Sequence, residues 1–306
     1  MISRQEIPFS SVEGKPLIKL VWRPEGTPKA VVQLVHGMAE HIRRYDEAAA
    51  ALAQAGYLVV GHNLLGHGET AKTLGHFADR SGWDALLMDI HAVRTDLTRE
   101  TGNLPYFLLG HSMGSFLVRC YLFKYAKGLK GAILSGTGDF HAGAVTVGLC
   151  LSRLFMLIGQ RMRPAKTIDA LAFAANNKAF APSKTPFDWL SRDEEQVQAY
   201  VQDPFCGFVF TASAYHDFFT GLKRLTVKEN LELMPKSLPV YFFSGENDPV
   251  GQNGQGVRQV AESFRQAGIT DVTEKFYPGA RHEMFHELNR QEAYEDLIAW
   301  LDRHCG

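Results

Sequence analysis

The 306-residue sequence carries 32 Lys and Arg against 33 Asp and Glu, a net charge of −1, and 45% of it is hydrophobic. That length suits one large α/β domain or two ordinary ones, and the composition is that of a soluble globular protein. So even a balance leaves no basic footprint for a nucleic-acid backbone and selects no substrate by bulk charge.

The first ten residues, MISRQEIPFS, hold no continuous apolar stretch and do not read as a leader peptide, so a cytoplasmic protein is expected. Short apolar runs follow at 30–35, 57–60, 106–109 and 132–134, each ended by Gly, His or Ser. Runs without polar alternation predict strands buried on both faces of a parallel sheet. Between them, 45–54 is alanine-rich and stops at Gly56, a helix-ending signal. Residues 83–99 place Leu86, Ile90, Val93 and Leu97 on one helical face, with Ser81 and Asp84 spaced as a capping box. The rhythm breaks over 140–230, which has many aromatics, two Pro-containing loops and no clear buried strand. Its most apolar window, 149–158, is too short for a membrane span and carries Arg153 at its middle. Alternation resumes with a run at 240–243, a helix at 257–267, a run at 272–277 and a last helix over 290–302. The expectation is an α/β protein: a mostly parallel, doubly wound sheet of residues 1–139 and 231–306, interrupted by a helical cap at 140–230. Cys120, Cys150, Cys206 and Cys305 are scattered and form no CxxC pair, which predicts reduced thiols.

Gly110-His111-Ser112-Met113-Gly114 matches G-x-S-x-G. The bare pattern is common, and its setting gives it meaning. The run PYFLL stands directly before it, and Met113, Phe116, Leu117, Cys120 and Tyr121 follow at helical spacing. A tight strand-to-helix turn needs small flanking residues, because a Cβ there meets the neighbouring chain. The turn lifts the serine oxygen above the carboxyl ends of the strands, where open α/β sheets bind ligands. The plain alternative is a glycine-rich turn with an incidental serine.

A serine hydroxyl is a weak nucleophile until a histidine takes its proton, and that histidine needs a carboxylate to orient it. The chain order for this arrangement is Ser, acid, His. Asp248 follows the run at 240–243, and His282 follows the run at 272–277, so both sit past strand ends. Asp139, after the preceding strand, is the alternative acid, and Glu246 reads as a solvated loop residue. His111 is expected to point away from the nucleophile, His41 and His67 to tie loops together, and His286 to lie in a helix. His282-Glu283-Met284-Phe285-His286 is also a literal H-E-x-x-H. Two histidines on one helix face would chelate Zn²⁺, with Glu283 as general base. Pro278 and Gly279 instead place His282 in a loop, and no metal is expected.

Taken together the motifs resemble the monoacylglycerol lipase and lysophospholipase branch of the α/β-hydrolases, among the serine aminopeptidase S33-type hydrolases. The resemblance is carried by His36-Gly37-Met38-Ala39-Glu40-His41 with Arg44-Tyr45, by Gly66-His67-Gly68, by the Ser112 motif, and by Asp248-Pro249 followed by Arg281-His282-Glu283. Ser115 stands where the branch usually has a second glycine, and Asn63 where it usually has Asp. The resemblance implies a triad of Ser112, His282 and Asp248, with the backbone N–H groups of Met38 and Met113 as oxyanion donors. It gives Glu40 and Arg44 the task of bracing the oxyanion loop or the polar end of the substrate, the alternative being a solvated ion pair. The implied activity is a carboxylic ester hydrolase working through an acyl-enzyme on a monoacylglycerol or lysophospholipid, without a cofactor. Short-chain esterase, thioesterase and aminopeptidase activities use the same machinery and stay open, as does a non-catalytic binding module. The apolar stretch 144–158 either packs the cap onto the core, lines a tunnel for an acyl chain, or touches a lipid surface.

Overall fold

In the computed structural model, which describes residues 2–305, the chain opens on a hairpin of β1 (Ser3–Ser10) and β2 (Pro16–Arg23). The outermost residues of the expected core, 1 and 306, lie outside the described residues. The apolar runs then form β3 (Val31–Val35), β4 (Leu58–His62), β5 (Tyr106–His111), β6 (Gly131–Ser135), β7 (Val240–Gly245) and β8 (Val272–Tyr277). All eight strands join one sheet in the order β1-β2-β4-β3-β5-β6-β7-β8. Pairing is antiparallel at β1/β2 and β2/β4 and parallel elsewhere. The hairpin left no mark in the reading above because β1 is largely exposed and carries charges instead of an apolar run.

Helices cover both faces. They are α1 (Asp46–Gln54), α2 (Gly82–Thr101), α3 (Met113–Tyr125), α4 (Ala142–Phe155), α5 (Lys166–Phe173), α6 (Glu194–Gln202), α7 (Ala212–Leu225), α8 (Gln255–Gln266) and α9 (Arg290–Cys305). Successive strand side chains point to opposite faces. Thus Leu108 and Phe242 share a core with Leu86 of α2, Phe116 of α3 and Phe264 of α8. Their neighbours Leu109 and Phe243 join Leu52 of α1 and Trp300 of α9 on the other side. Trp300 is fully buried, edge-on to Phe107 and stacked on Tyr241, and Gly131 leaves it room.

Two expectations change here. Ser81 does not cap α2; it takes a left-handed conformation with φ 50° and its side chain makes no cap bond. The Gly82 N–H donates instead to Asp217 of α7, 3.1 Å away, and Asp84 pairs with Arg224. A cap from across the fold has replaced the local one. The apolar window at 149–158 belongs to a longer helical stretch, Ala142–Gln160, which is long and apolar enough to cross a membrane by length and composition alone. It lies against α7, where Gly148 meets the Phe219 ring, and β6 and β7 on either side of the helical segment are neighbours in one sheet.

The segment between β6 and β7 is anchored by close packing of α7 on α2. A Cβ at Gly221 would lie 2.1 Å from the Trp83 indole, which is itself fully buried. Gly221→Ala is expected to destabilise the protein by about 1–3 kcal/mol, read as a lower urea midpoint with an unchanged slope.

Candidate active site

Ser112 sits where β5 turns into α3, with φ 51° and ψ −122°. Residues with a side chain rarely hold such an angle, and the surroundings have to enforce it. Here they do. A Cβ at Gly110 would fall 2.3 Å from the Gly114 carbonyl oxygen, and one at Gly114 would fall 2.1 Å from that of Val35. The Ser112 N–H donates to Ser135 O at 2.9 Å, pinning the turn to β6. Ser115, at the position where a second glycine was expected, is buried and donates its hydroxyl to Ser112 O at 2.6 Å.

Asp248 follows β7 and is fully buried. Its Oδ1 accepts the Val250 N–H at 2.9 Å and lies 2.9 Å from His282 Nδ1. Asp139 and Glu246, the other acids weighed, are both exposed. Burial pushes the His282 imidazole down, but the adjoining Asp248 carboxylate, with Glu283 and Glu40 nearby, outweighs it and holds the group above its ordinary value. His282 lies between two rings, with His111 4.8 Å away and Trp189 5.0 Å away. His111 therefore does not point clear of the site. It packs beside His282 with Nδ1 3.1 Å from Ser135 Oγ, and burial keeps it well below the ordinary histidine value.

The H-E-x-x-H string does not form a chelating pair. His282 spends Nδ1 on Asp248, Glu283 is bound to Arg44, and His286, in a 3-10 turn, sets Nε2 2.9 Å from Arg44 O. That reading requires both histidines on one α-helix, whereas 282 and 283 are non-helical and only 284–286 form a 3-10 turn.

Arg44 organises the loop after β3. Its guanidinium donates to Glu40 at 2.6 Å and, through two nitrogens, to both oxygens of Glu283 at 2.6 and 2.7 Å. All three groups are buried or nearly so, which rules out a solvated ion pair. Glu40 in turn accepts the Gly37 N–H at 2.6 Å and the Tyr45 hydroxyl at 2.8 Å. Burial pushes Glu283 up, yet Arg44 holds it well below the usual carboxylate range. One cation thus ties the Met38 loop to the residue after His282. His67 Nε2 accepts the Ala39 N–H at 3.3 Å, and His41 Nε2 lies 2.8 Å from Asp203 Oδ2. Asn63, buried in place of the expected Asp, accepts the Ile42 N–H and donates to Glu69, a pairing that two carboxylates would oppose.

Met38, Met113, Ser112, His282 and Glu40 all line one cavity of about 800 Å³. The Met113 N–H belongs to the first turn of α3, whose donors have no partner within the helix. The rest of the wall is mostly apolar, from Phe116, Leu151, Leu171, Phe173 and Phe219 among others, with Asp169 and His141 among its polar members. Asp248 lies outside this wall, behind His282. Trp189 and Tyr200 were missed in the sequence because each acts through a contact made across the fold. Trp189 O accepts the His282 N–H at 3.4 Å; Tyr200 stacks under Arg44 and donates to Ala39 O at 2.9 Å.

A mostly parallel sheet flanked by helices, with a serine on a strained strand-to-helix turn, defines the α/β-hydrolase fold. The family model described as serine aminopeptidase, S33, matches residues 26–289, so the chain belongs to this family of serine hydrolases. It is 28% identical to the monoacylglycerol lipase of Mycolicibacterium smegmatis, covering 99% of this chain and 98% of that one. It is 28% identical to the monoglyceride lipase of Mus musculus, covering 99% and 92%. A thermostable carboxyl esterase from Bacillus coagulans, solved with glycerol, superposes with a TM-score of 0.93 at 30% identity and 99% coverage of both chains.

Removing one partner of a buried ion pair leaves an uncompensated charge. Arg44→Met strands two carboxylates and is expected to lower stability by about 3–5 kcal/mol in chemical denaturation. Arg43→Met, whose partners Glu6 and Glu69 are partly exposed, is expected to cost under about 1 kcal/mol.

Proposed function

We propose that this serine ester hydrolase cleaves monoacylglycerols through an acyl-enzyme. Ser112 attacks the ester carbonyl, His282 takes the hydroxyl proton and passes it to the leaving glycerol, and Asp248 holds the imidazole and offsets its charge. The Met38 and Met113 N–H groups face the oxyanion, at about 3 kcal/mol of transition-state stabilisation for each well-placed donor. Water then attacks the acyl-enzyme by the reverse of the same proton transfers. The segment between β6 and β7 acts as the cap, covering the serine with an apolar wall that suits an acyl chain and excludes bulk water.

The observation that carries this reading is the lining of the cavity. It is wide and largely apolar, and no Arg or Lys is among its lining residues. An acyl chain is matched. A phosphate would enter with no cation to replace its water, which favours the neutral glycerol ester over a lysophospholipid. The relatives named as monoacylglycerol lipases support the same choice. Val147, Leu157, Ile158 and Leu171 are largely exposed on the cap beside this cavity, a surface suited to rest on lipid.

Wild type is expected to hydrolyse long-chain monoacylglycerols, and Ser112→Ala to lose at least about a thousandfold in kcat. Equal activity of the two proteins would sink the mechanism. Monoacylglycerol is expected to exceed the lysophospholipid of the same chain length by at least about tenfold in kcat/KM, since about 1.4 kcal/mol of uncompensated desolvation suffices. A preference for the phospholipid would reverse that assignment.

The base works only when neutral. Because the His282 pKa is raised, kcat/KM is expected to fall with acid through an apparent pKa above the ordinary value of about 6.5. Glu283→Gln removes a nearby negative charge and is expected to move that pKa down, as read from the pH–rate profile.

A further inference from the structure

Beside the oxyanion loop lies a second group of chemistry-bearing side chains that the proposed hydrolysis does not use. One donor atom each from His41, Asp203 and Cys206 lies within 4.8 Å of the other two. His41 comes from the loop after β3; Asp203 and Cys206 come from the turn that follows α6. The three meet only in the fold, 162 residues separating His41 from Asp203.

The surrounding charge favours a cation. Asp203, Glu40 and Glu283 all bear on Cys206, and Arg44 is the cation in this company. Its charge is already matched twice over by the two glutamates that it bridges. Asp203 adds a further carboxylate, bonded to His41 and to the Phe205 N–H; burial and these carboxylates hold the Cys206 thiol protonated, and a cation at the site would offset both. His41 is itself 7% exposed, and its Nδ1 is buried without a hydrogen-bond partner. The nitrogen that faces Asp203 is the other one: Nε2 lies 2.8 Å from Asp203 Oδ2, so a metal would enter by displacing that hydrogen bond, and Nδ1 is free to carry the ring proton when it does. Asp203 and Cys206 are only partly buried, which gives an ion a route in and leaves room for a water ligand.

We propose that His41, Asp203 and Cys206 bind a divalent transition cation of the zinc type. The donor set decides the class: thiolate and imidazole select Zn²⁺ and its neighbours over Mg²⁺ or Ca²⁺, which require oxygen cages. Three protein ligands and a water complete a tetrahedron with donors about 3.5 Å apart, which requires the His41–Asp203 pair to open from 2.8 Å as the ion enters. Binding forms three metal–ligand bonds and releases the Cys206 thiol proton to solvent.

The ion would join two segments that already touch. Ala39 O accepts the Gly207 N–H at 2.9 Å, and Tyr200, in α6, donates to the same oxygen. A third tie, His41 Nε2 to Asp203 Oδ2 at 2.8 Å, lies two residues further on, and a metal would replace that hydrogen bond with coordination bonds between the oxyanion loop and the cap. Occupancy is therefore a means of setting how firmly that loop is held.

The test is Co²⁺ titration of the chelator-treated full-length protein, followed by near-ultraviolet absorption, with Zn²⁺ competition for affinity. Wild type is expected to bind one Co²⁺ with a thiolate-to-metal charge-transfer band, and Zn²⁺ to raise its Tm. Cys206→Ser is expected to lose the band, and both it and Asp203→Asn to lose at least about tenfold in affinity. Cys150→Ser, at an exposed thiol, is expected to change neither. The proposal fails if wild type shows no thiolate band, if the band survives in Cys206→Ser, or if both affinities stay within twofold. Should Cys206→Ser misfold, as judged by its metal-free melting curve, Asp203→Asn alone decides. The readout does not involve ester hydrolysis, so it stands apart from the proposed activity.

Discussion

A single buried cation holds the site in register. Arg44 meets Glu40 on one side and both oxygens of Glu283 on the other, and Glu40 grips the Gly37 N–H. Glu283 is the residue after His282, so the proposed oxyanion loop and the proposed general base are fixed against one another by the same guanidinium. Taking three charges out of water is costly, and such a group rarely adds net stability. Its use is geometric. A planar, bidentate donor admits few arrangements of its two carboxylates. The surplus negative charge of the group also raises the His282 pKa. The group therefore adds to the hold that Asp248, the nearer carboxylate, has on both the position and the proton affinity of the histidine.

The second constraint is the approach of backbones around Ser112. The turn stands because β5, α3 and β3 come close enough that neither Gly110 nor Gly114 has space for a methyl group. Strain at Ser112 is held by that packing and by its hydrogen bond to β6. The strands are buried throughout, so the turn cannot relax without moving the core.

The segment between β6 and β7 does more than line the cavity. Its stretch from Asp188 to Arg192 runs along the histidine loop, taking N–H bonds from His282 and Glu283 on the carbonyls of Trp189 and Leu190. Arg281 donates to the carbonyls of Asp188 and Ser191, and Arg192 pairs with the fully buried Glu287. Trp189 closes one face of the His282 ring. This segment is thereby tied directly to the loop that carries His282, a link that distance along the chain would not suggest.

Much of this was legible beforehand, for a physical reason. Buried parallel strands have no polar alternation, so β3 to β7 announced themselves as apolar runs, and the G-x-S-x-G turn declared itself by the glycines its crowding requires. Chain order and strand ends likewise picked out Asp248 and His282 as a pair to be tested, and the structure sets them 2.9 Å apart. The exposed strand β1 and the helix cap by Asp217 carried no local signal, since one lacks an apolar run and the other is built from residues 135 positions apart. The same holds for Glu283 on Arg44, Trp189 on His282 and the meeting of His41, Asp203 and Cys206. Local periodicity and steric need are written in neighbouring residues. Which distant side chains share a buried charge or a ring face is decided only when the chain closes on itself.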